Sequence, residues 1–324
     1  MRRFLLVCAL CIIPSSLYAS CPTCSNPNLP GSDGDRLAVD LENNGLRLGM
    51  SLRASTARST HRSSAALSAA GAGDSNGQST RTWDYQMFAC NIDLEHAAST
   101  HVGWAMTIPV RYMKVTESAG PAVEDAHPAT HFGLGDVSLY GTVYLRGQSP
   151  HSWWISSRLG FTIPSGNILA DPNEASEEDA SHEHIFFGSG TFDPRLLLRA
   201  GYRISDWTLQ ANAHYRTSLY ANRHEYRAGT QLGGGLSVHS RFGLERWSFG
   251  LSGDGFYGTA AEWTGSGSKD LFSGKSGVLL GVETSYESSG WELSLGLDRP
   301  FITATVDGEF EVPAILRFGT AYTF

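Results

Sequence analysis

Twelve short runs of alternating apolar and polar side chains follow one another from residue 44 to residue 324, and the connections between them alternate in length. The runs cover 44–54, 81–95, 101–115, 136–146, 152–163, 195–204, 207–217, 226–238, 246–257, 277–286, 291–298 and 313–324. After every odd-numbered run the connection is long, at about 55–80, 116–134, 164–193, 218–225, 258–276 and 299–312. After the even-numbered runs it is short, at 96–100, 147–151, 205–206, 239–245 and 287–290. A soluble β-sandwich has no reason to lengthen every second connection. A membrane barrel does, because one side carries tight turns and the other carries loops. An even number of strands also returns both ends of the barrel to the short-turn side.

The runs read as strands by their period of two. In the first, Leu46, Leu48, Met50, Leu52 and Ala54 oppose Gly45, Arg47, Gly49, Ser51 and Arg53. In the seventh, Trp207, Leu209, Ala211, Ala213 and Tyr215 oppose Thr208, Gln210, Asn212, His214 and Arg216. In the last, Leu316, Phe318, Thr320, Tyr322 and Phe324 oppose Ile315, Arg317, Gly319, Ala321 and Thr323. An aromatic terminal strand of this kind is similar to the assembly signal of bacterial outer-membrane barrels. The second run is the least regular and predicts a bulge. Pro109, in the third, lacks an N–H, so it costs a ladder bond or marks a bulge.

Composition agrees. Gly is abundant at 36 residues, aromatics number 8 Trp, 12 Tyr and 15 Phe, and charged residues make up only 17%. That mixture suits a sheet with many turns better than a helical bundle. Trp153, Trp207, Trp247 and Trp291 each open a strand after a short turn, with Tyr286 just before one, as an aromatic girdle requires. Tyr112, Phe161, Tyr215, Tyr226 and Tyr257 sit near the long-loop ends and predict the outer girdle. The fold expected is therefore all-β: a transmembrane antiparallel up-and-down β-barrel of about 12 strands.

Arg2 and Arg3, an apolar run too short to span a membrane, and small residues near Ala19 and Ser20 read as a signal peptide over 1–20. Residues 21–43 form a Cys- and Pro-containing periplasmic arm, and 44–324 the outer-membrane barrel. Cleavage removes two arginines and no acid, taking the formal charge from −8 to −10. An acidic mature chain argues against a nucleic-acid partner. Cys21 and Cys24 admit three readings: lipidation at Cys21, a local disulfide, or a metal site. Ser25 stands where a c-type haem motif needs His. Cys90 reads as an inert residue of the wall.

The inward face is rich in arginine. It carries Arg47, Arg111, Arg158, Arg199, Arg216, Arg227 and Arg317, with Asp84, Asp254 and Glu283 among the acids. Arginine stays charged, so each must be hydrated or paired. One reading is a narrow channel for a polar or anionic solute, since twelve strands leave a lumen between those of eight-stranded and porin-sized barrels. The other is an ion-pair network that stiffens a closed barrel serving as an anchor or adhesin. The third long connection is acidic and carries His182 and His184, residue types that bind a divalent transition metal. Acidic outer loops also suit a divalent cation bridging lipopolysaccharide. Otherwise no cofactor is expected. The expected partners are outer-membrane lipid and lipopolysaccharide, the barrel-assembly machinery and a small solute. No hydrolase elbow or HExxH occurs, and His214 points inward, unlike the Ser–His pair of barrel phospholipases.

Three glycine-rich stretches carry a family resemblance: Phe132-Gly-Leu-Gly-Asp136, Gly160-Phe-Thr-Ile-Pro-Ser-Gly166 and Phe187-Gly-Ser-Gly-Thr-Phe-Asp-Pro194. Their order resembles that of the transporter-like outer-membrane barrels of the MetA-pathway phenol and toluene degradation type. The resemblance implies a barrel fold and the uptake of small aromatic molecules, whereas the arginine face favours polar or anionic ones.

Overall fold

The computed structural model describes residues 45–63, 79–119, 128–146, 153–166, 187–223, 225–265, 268–270, 274–305 and 309–324. The expected signal peptide and arm, with Cys21 and Cys24, lie outside them, as do His182 and His184.

Every described element is a strand. In chain order these are β1 (Leu46–Ser63), β2 (Ser79–Ala97), β3 (Val102–Ala119), β4 (Pro128–Leu134), β5 (Val137–Arg146) and β6 (Trp153–Ile163). There follow β7 (Pro194–Ile204), β8 (Trp207–Arg216), β9 (Tyr226–Arg227), β10 (Gln231–Ser240), β11 (Trp247–Gly258) and β12 (Ala261–Trp263). The last are β13 (Ser268–Asp270), β14 (Lys275–Ser288), β15 (Trp291–Thr305), β16 (Glu309–Glu311) and β17 (Ile315–Thr323). Twelve positions make the wall: β1, β2, β3, β4 with β5, β6, β7, β8, β10, β11, β14, β15 and β17. β17 pairs back onto β1, from Arg47↔Thr323 to Ser55↔Ile315. The closing pair removes the sheet edge and gives the backbone its hydrogen bonds inside the wall, which a hydrocarbon surrounding demands.

Strand parity sets the two faces. Leu48, Leu52, Leu159, Leu236, Leu251 and Leu316 are exposed on the outside, while Arg47, Ser51, Arg158, Thr162, Asp254 and Asp298 are buried inside. Apolar exposure on this scale suits lipid and not water. The lower girdle forms as predicted. Trp247 packs tilted against Tyr286 with centroids 5.0 Å apart, and Trp291 against Tyr322 at 4.9 Å. The β14–β15 turn is a two-residue Ser289-Gly290 link with φ of 51° and 83°, the left-handed pair that matches strand twist.

Four features depart from the sequence reading. First, β1, β2 and β3 are 18, 19 and 18 residues long, so the first hairpins rise well past the rest of the wall. Second, β2 holds an unbroken register against β1, from Leu46↔His96 to Ser63↔Ser79, with no bulge. Its outward residues are Phe88, Cys90 and Ile92, so Asp93 and Glu95 face inward. Asp84 faces outward, where it accepts a 2.8 Å bond from Arg58.

Third, the irregularity expected at Pro109 lies in its partner strand. Val110 pairs with Leu134 and Thr107 with Ser138, so three steps on β3 meet four across the β4–β5 break. Gly135 donates its N–H to the Pro109 carbonyl at 2.8 Å. A Cβ on Gly135 would collide with the Pro109 ring and the Phe187 carbonyl.

Fourth, the chain leaves the wall at residues 226–227. β9, β12 and β13 form a separate small sheet, with Glu262↔Arg227 and Trp263↔Tyr226. Arg227 is therefore not a lumen residue; it faces Glu262 at 3.8 Å, about half exposed. Tyr226 is buried against Ala261 and does not belong to the outer girdle. The alternation runs on through this segment, but a two-residue strand carries too little of it to show which sheet it joins.

Candidate functional site: the barrel lumen

The periplasmic and middle parts of the lumen are polar and ion-paired. Arg47 bonds Glu292 at 2.9 Å, and Arg158 bonds Glu95 at 2.8 Å. Arg317 bonds Glu283 at 2.6 Å and Asp298 at 2.6 Å. Arg111 folds against its own wall, donating to Asn91 at 2.8 Å and to the Cys90 and Val110 carbonyls. Arg195 donates to Ser138 at 2.7 Å, and Asn212 to Asp254 at 3.0 Å. Most of these partners stand on strands next but one around the wall. Those pairs run along the wall, whereas Arg158 and Glu95 reach across three positions from β6 to β2. They compensate the desolvation of each charge.

The extracellular part is different in kind. Ala57, Tyr85, Met87, Met113, Val115, Phe187, Phe256, Leu279, Val312 and Ile315 pack into one buried apolar cluster. β3 and β11, which supply Met113 and Phe256, stand on opposite sides of the twelve-position wall. The cluster therefore crosses the lumen and makes an apolar neck.

Residues 187–193 fold into this neck, and two carboxylates pin them. Asp136, at the β4–β5 break, accepts the backbone N–H of Ser189 at 2.6 Å, its hydroxyl at 2.8 Å and the N–H of Gly166 at 3.0 Å. Asp193 accepts Arg216 at 2.6 and 3.0 Å and the Ser218 hydroxyl at 2.7 Å. Asn222 adds a 3.0 Å bond to the Ser189 carbonyl. A Cβ on Gly188 would land on the Asp136 carboxylate, so only glycine lets the segment approach. The three glycine-rich stretches of the sequence thus meet at one point, Asp136.

Below the neck, Arg199, Arg216, Asp254 and Glu283 line a small chamber of about 70 Å³. A larger cavity of about 390 Å³ opens toward the periplasmic end, lined by Arg158, Arg203, Arg241, Glu283, Glu287 and Glu292 among others. Of the residues the sequence singled out, Arg47, Arg111, Arg158, Arg199, Arg216, Arg317, Asp254 and Glu283 face the lumen. Arg227 does not. Sequence reasoning missed Asp93, Glu95 and Asp193, and the apolar neck entirely. Phe88 and Ile92 on one parity of β2 carry the signal for the first two. The change from Arg111 to Met113 and Val115 along one inner face of β3 signals the neck.

A family model described as the putative MetA-pathway of phenol degradation matches residues 68–303. No curated protein matches the chain in sequence. Among solved structures, the COG4313 outer membrane channel from Pseudomonas putida F1 is similar with a TM-score of 0.62 at 12% identity, covering 90% of this chain and 99% of that one. The beta domain of the Bordetella autotransporter BrkA gives 0.41 at 14% identity, covering 87% and 100%. The translocator domain of the autotransporter NalP from Neisseria meningitidis gives 0.40 at 10%, covering 90% and 92%. At these identities the first likeness speaks for the fold alone, that of an outer-membrane barrel.

Proposed function

The chain belongs to the family described as the putative MetA-pathway of phenol degradation, and from that premise we propose that it is an outer-membrane channel for small solutes. One observation carries the reading: charged side chains pair along the wall and leave a cavity of about 390 Å³ behind an apolar neck. A barrel that served only as an anchor gains nothing from holding such a cavity open. The likeness to an outer membrane channel in solved structures supports the same reading.

The neck sets the order of events. A solute entering from outside first meets the cluster around Phe187, Met113 and Phe256, which favours small apolar or aromatic groups by burial. It then reaches the polar cavity, where fixed charges and hydrogen-bonding side chains surround it. Passage needs the 187–193 segment to yield, and the Asp136 and Asp193 bonds set how readily it does. The route calls for no catalytic group.

Reconstitution of the purified barrel in planar bilayers tests this. Discrete conductance steps are expected, small beside those of wide porins. A folded barrel that shows neither conductance nor solute flux in liposomes would leave the anchor or adhesin reading in its place. The tall β1–β3 face is the observation that would then matter most.

A further inference from the structure

The inner wall near the periplasmic end brings together one aromatic ring and one cation that no described carboxylate neutralises. Strand register places Trp154 beside Gly201, Gly201 beside Gln210, Arg203 beside Thr208, and Thr208 beside His239. These side chains lie on one parity and line the 390 Å³ cavity. That volume falls within the roughly 300–1,000 Å³ typical of small-molecule sites.

The other arginines and the glutamates around the cavity are paired. Arg158 is held by Glu95 at 2.8 Å and Arg241 by Glu287 at 2.9 Å. Glu292 is held by Arg47 at 2.9 Å and Glu283 by Arg317 at 2.6 Å. Asp206 accepts the N–H of Gly243 at 3.1 Å. Among the arginines that line the cavity Arg203 alone differs: it is exposed and has no carboxylate partner among the described residues. A free guanidinium offers a planar fork of donors that fits a carboxylate in two-point fashion. Next to it, the Trp154 indole lies across Gly201, where any Cβ would fall on the ring. The glycine keeps the ring against the wall and the space beside Arg203 clear. Ring and fork side by side are what a small planar acid needs, the ring for stacking and the fork for its charge.

We propose that the periplasmic half of the lumen holds a binding subsite for small aromatic carboxylates, formed by Arg203 and Trp154 with Thr208 and Gln210 as hydrogen-bonding neighbours. The proposal deepens the channel reading and rests on it for its biological sense, although binding itself needs no conductance. It also gives the polar cavity a use that the apolar neck does not explain. A solute whose ring passes the neck and whose carboxylate reaches Arg203 satisfies both halves of the lumen.

The test is calorimetric titration of the folded barrel in detergent with benzoate, benzyl alcohol and acetate, on the unaltered chain and on Arg203→Gln and Trp154→Leu. Heat-modifiable gel migration confirms that each variant is folded. Benzoate is expected to bind about tenfold tighter than either other probe, because only it uses both groups. Arg203→Gln should erase the preference over benzyl alcohol, and Trp154→Leu the preference over acetate. Benzoate affinity unchanged in Arg203→Gln, or equal affinity for all three probes, would overturn the subsite. Potassium chloride conductance of the same preparations reads the channel separately. Benzoate binding without conductance would sink the channel and keep the site; conductance without binding would do the reverse.

Discussion

Asp136 accepts the backbone N–H of Ser189 at 2.6 Å, tying a break in the wall to a segment that folds into the lumen. The carboxylate is buried and takes two further donors, so its removal strands a buried N–H. Asp136→Ala is expected to cost about 1–3 kcal/mol of stability and to loosen residues 187–193. Single-channel conductance should rise, or fluctuate between levels, against the unaltered barrel. Unchanged conductance with unchanged noise would show that the segment is held elsewhere.

Phe187 is the inserted segment's contribution to the apolar neck. Phe187→Ala removes a ring from the crossing cluster while leaving both carboxylate anchors intact. Conductance should increase, and liposome uptake of a neutral aromatic solute should speed up. A slower uptake would mean that the ring guides solutes instead of obstructing them.

Arg158 and Glu95 are both buried, at 6% and 8% side-chain exposure. Arg158→Gln leaves a carboxylate without its cation in the lumen wall, and a loss of about 3–5 kcal/mol is expected. The double variant Arg158→Gln with Glu95→Gln should recover much of it. Urea unfolding of the barrel in lipid vesicles, followed by tryptophan emission, measures both. Equal losses in the single and double variants would argue against the pair.

Arg317 balances Glu283 and Asp298 together. Arg317→Gln exposes two negative charges to the lumen, so permeating cations gain and anions lose. The reversal potential under a potassium chloride gradient should shift toward cation selectivity. The shift should shrink as salt rises and screens the fixed charges.

On the outer surface, Arg58 and Asp84 meet at 2.8 Å but are 64% and 43% exposed. Solvent-exposed pairs contribute little. Arg58→Ala should leave the unfolding midpoint and the conductance where they were, making it a control for the lumen variants.

Much of the barrel is legible in the amino-acid sequence. Period-two runs place Leu48 and Leu52 outside and Arg47 inside without knowledge of neighbours, because a strand's pleat alone decides which face a residue takes. Alternating connections give the strand number and the side of each loop. The failures are local. In β2, several polar residues on the lipid-side parity obscure the phase, so Asp84 reads as inward in place of Asp93 and Glu95. At 226–227 a short strand carries the right period into a different sheet. Arg227 then reads as lumenal because parity says nothing about which sheet a strand joins.

What the sequence by itself determined is the closed twelve-strand wall, its lower girdle and the arginine-rich inner face, since each follows from spacing along a strand. Only the tertiary structure decided what that face does. Whether Arg317 meets Glu283, whether Met113 and Phe256 share one neck, and whether Ser189 reaches Asp136 depend on curvature and closure. Those contacts join residues tens of positions apart, across a space that exists only once β17 has paired with β1. Along the chain the inner wall reads as one arginine-rich face with acids among the arginines. Closure divides it into a polar cavity and an apolar neck, and leaves Arg203 as the arginine of that cavity with no carboxylate partner among the described residues.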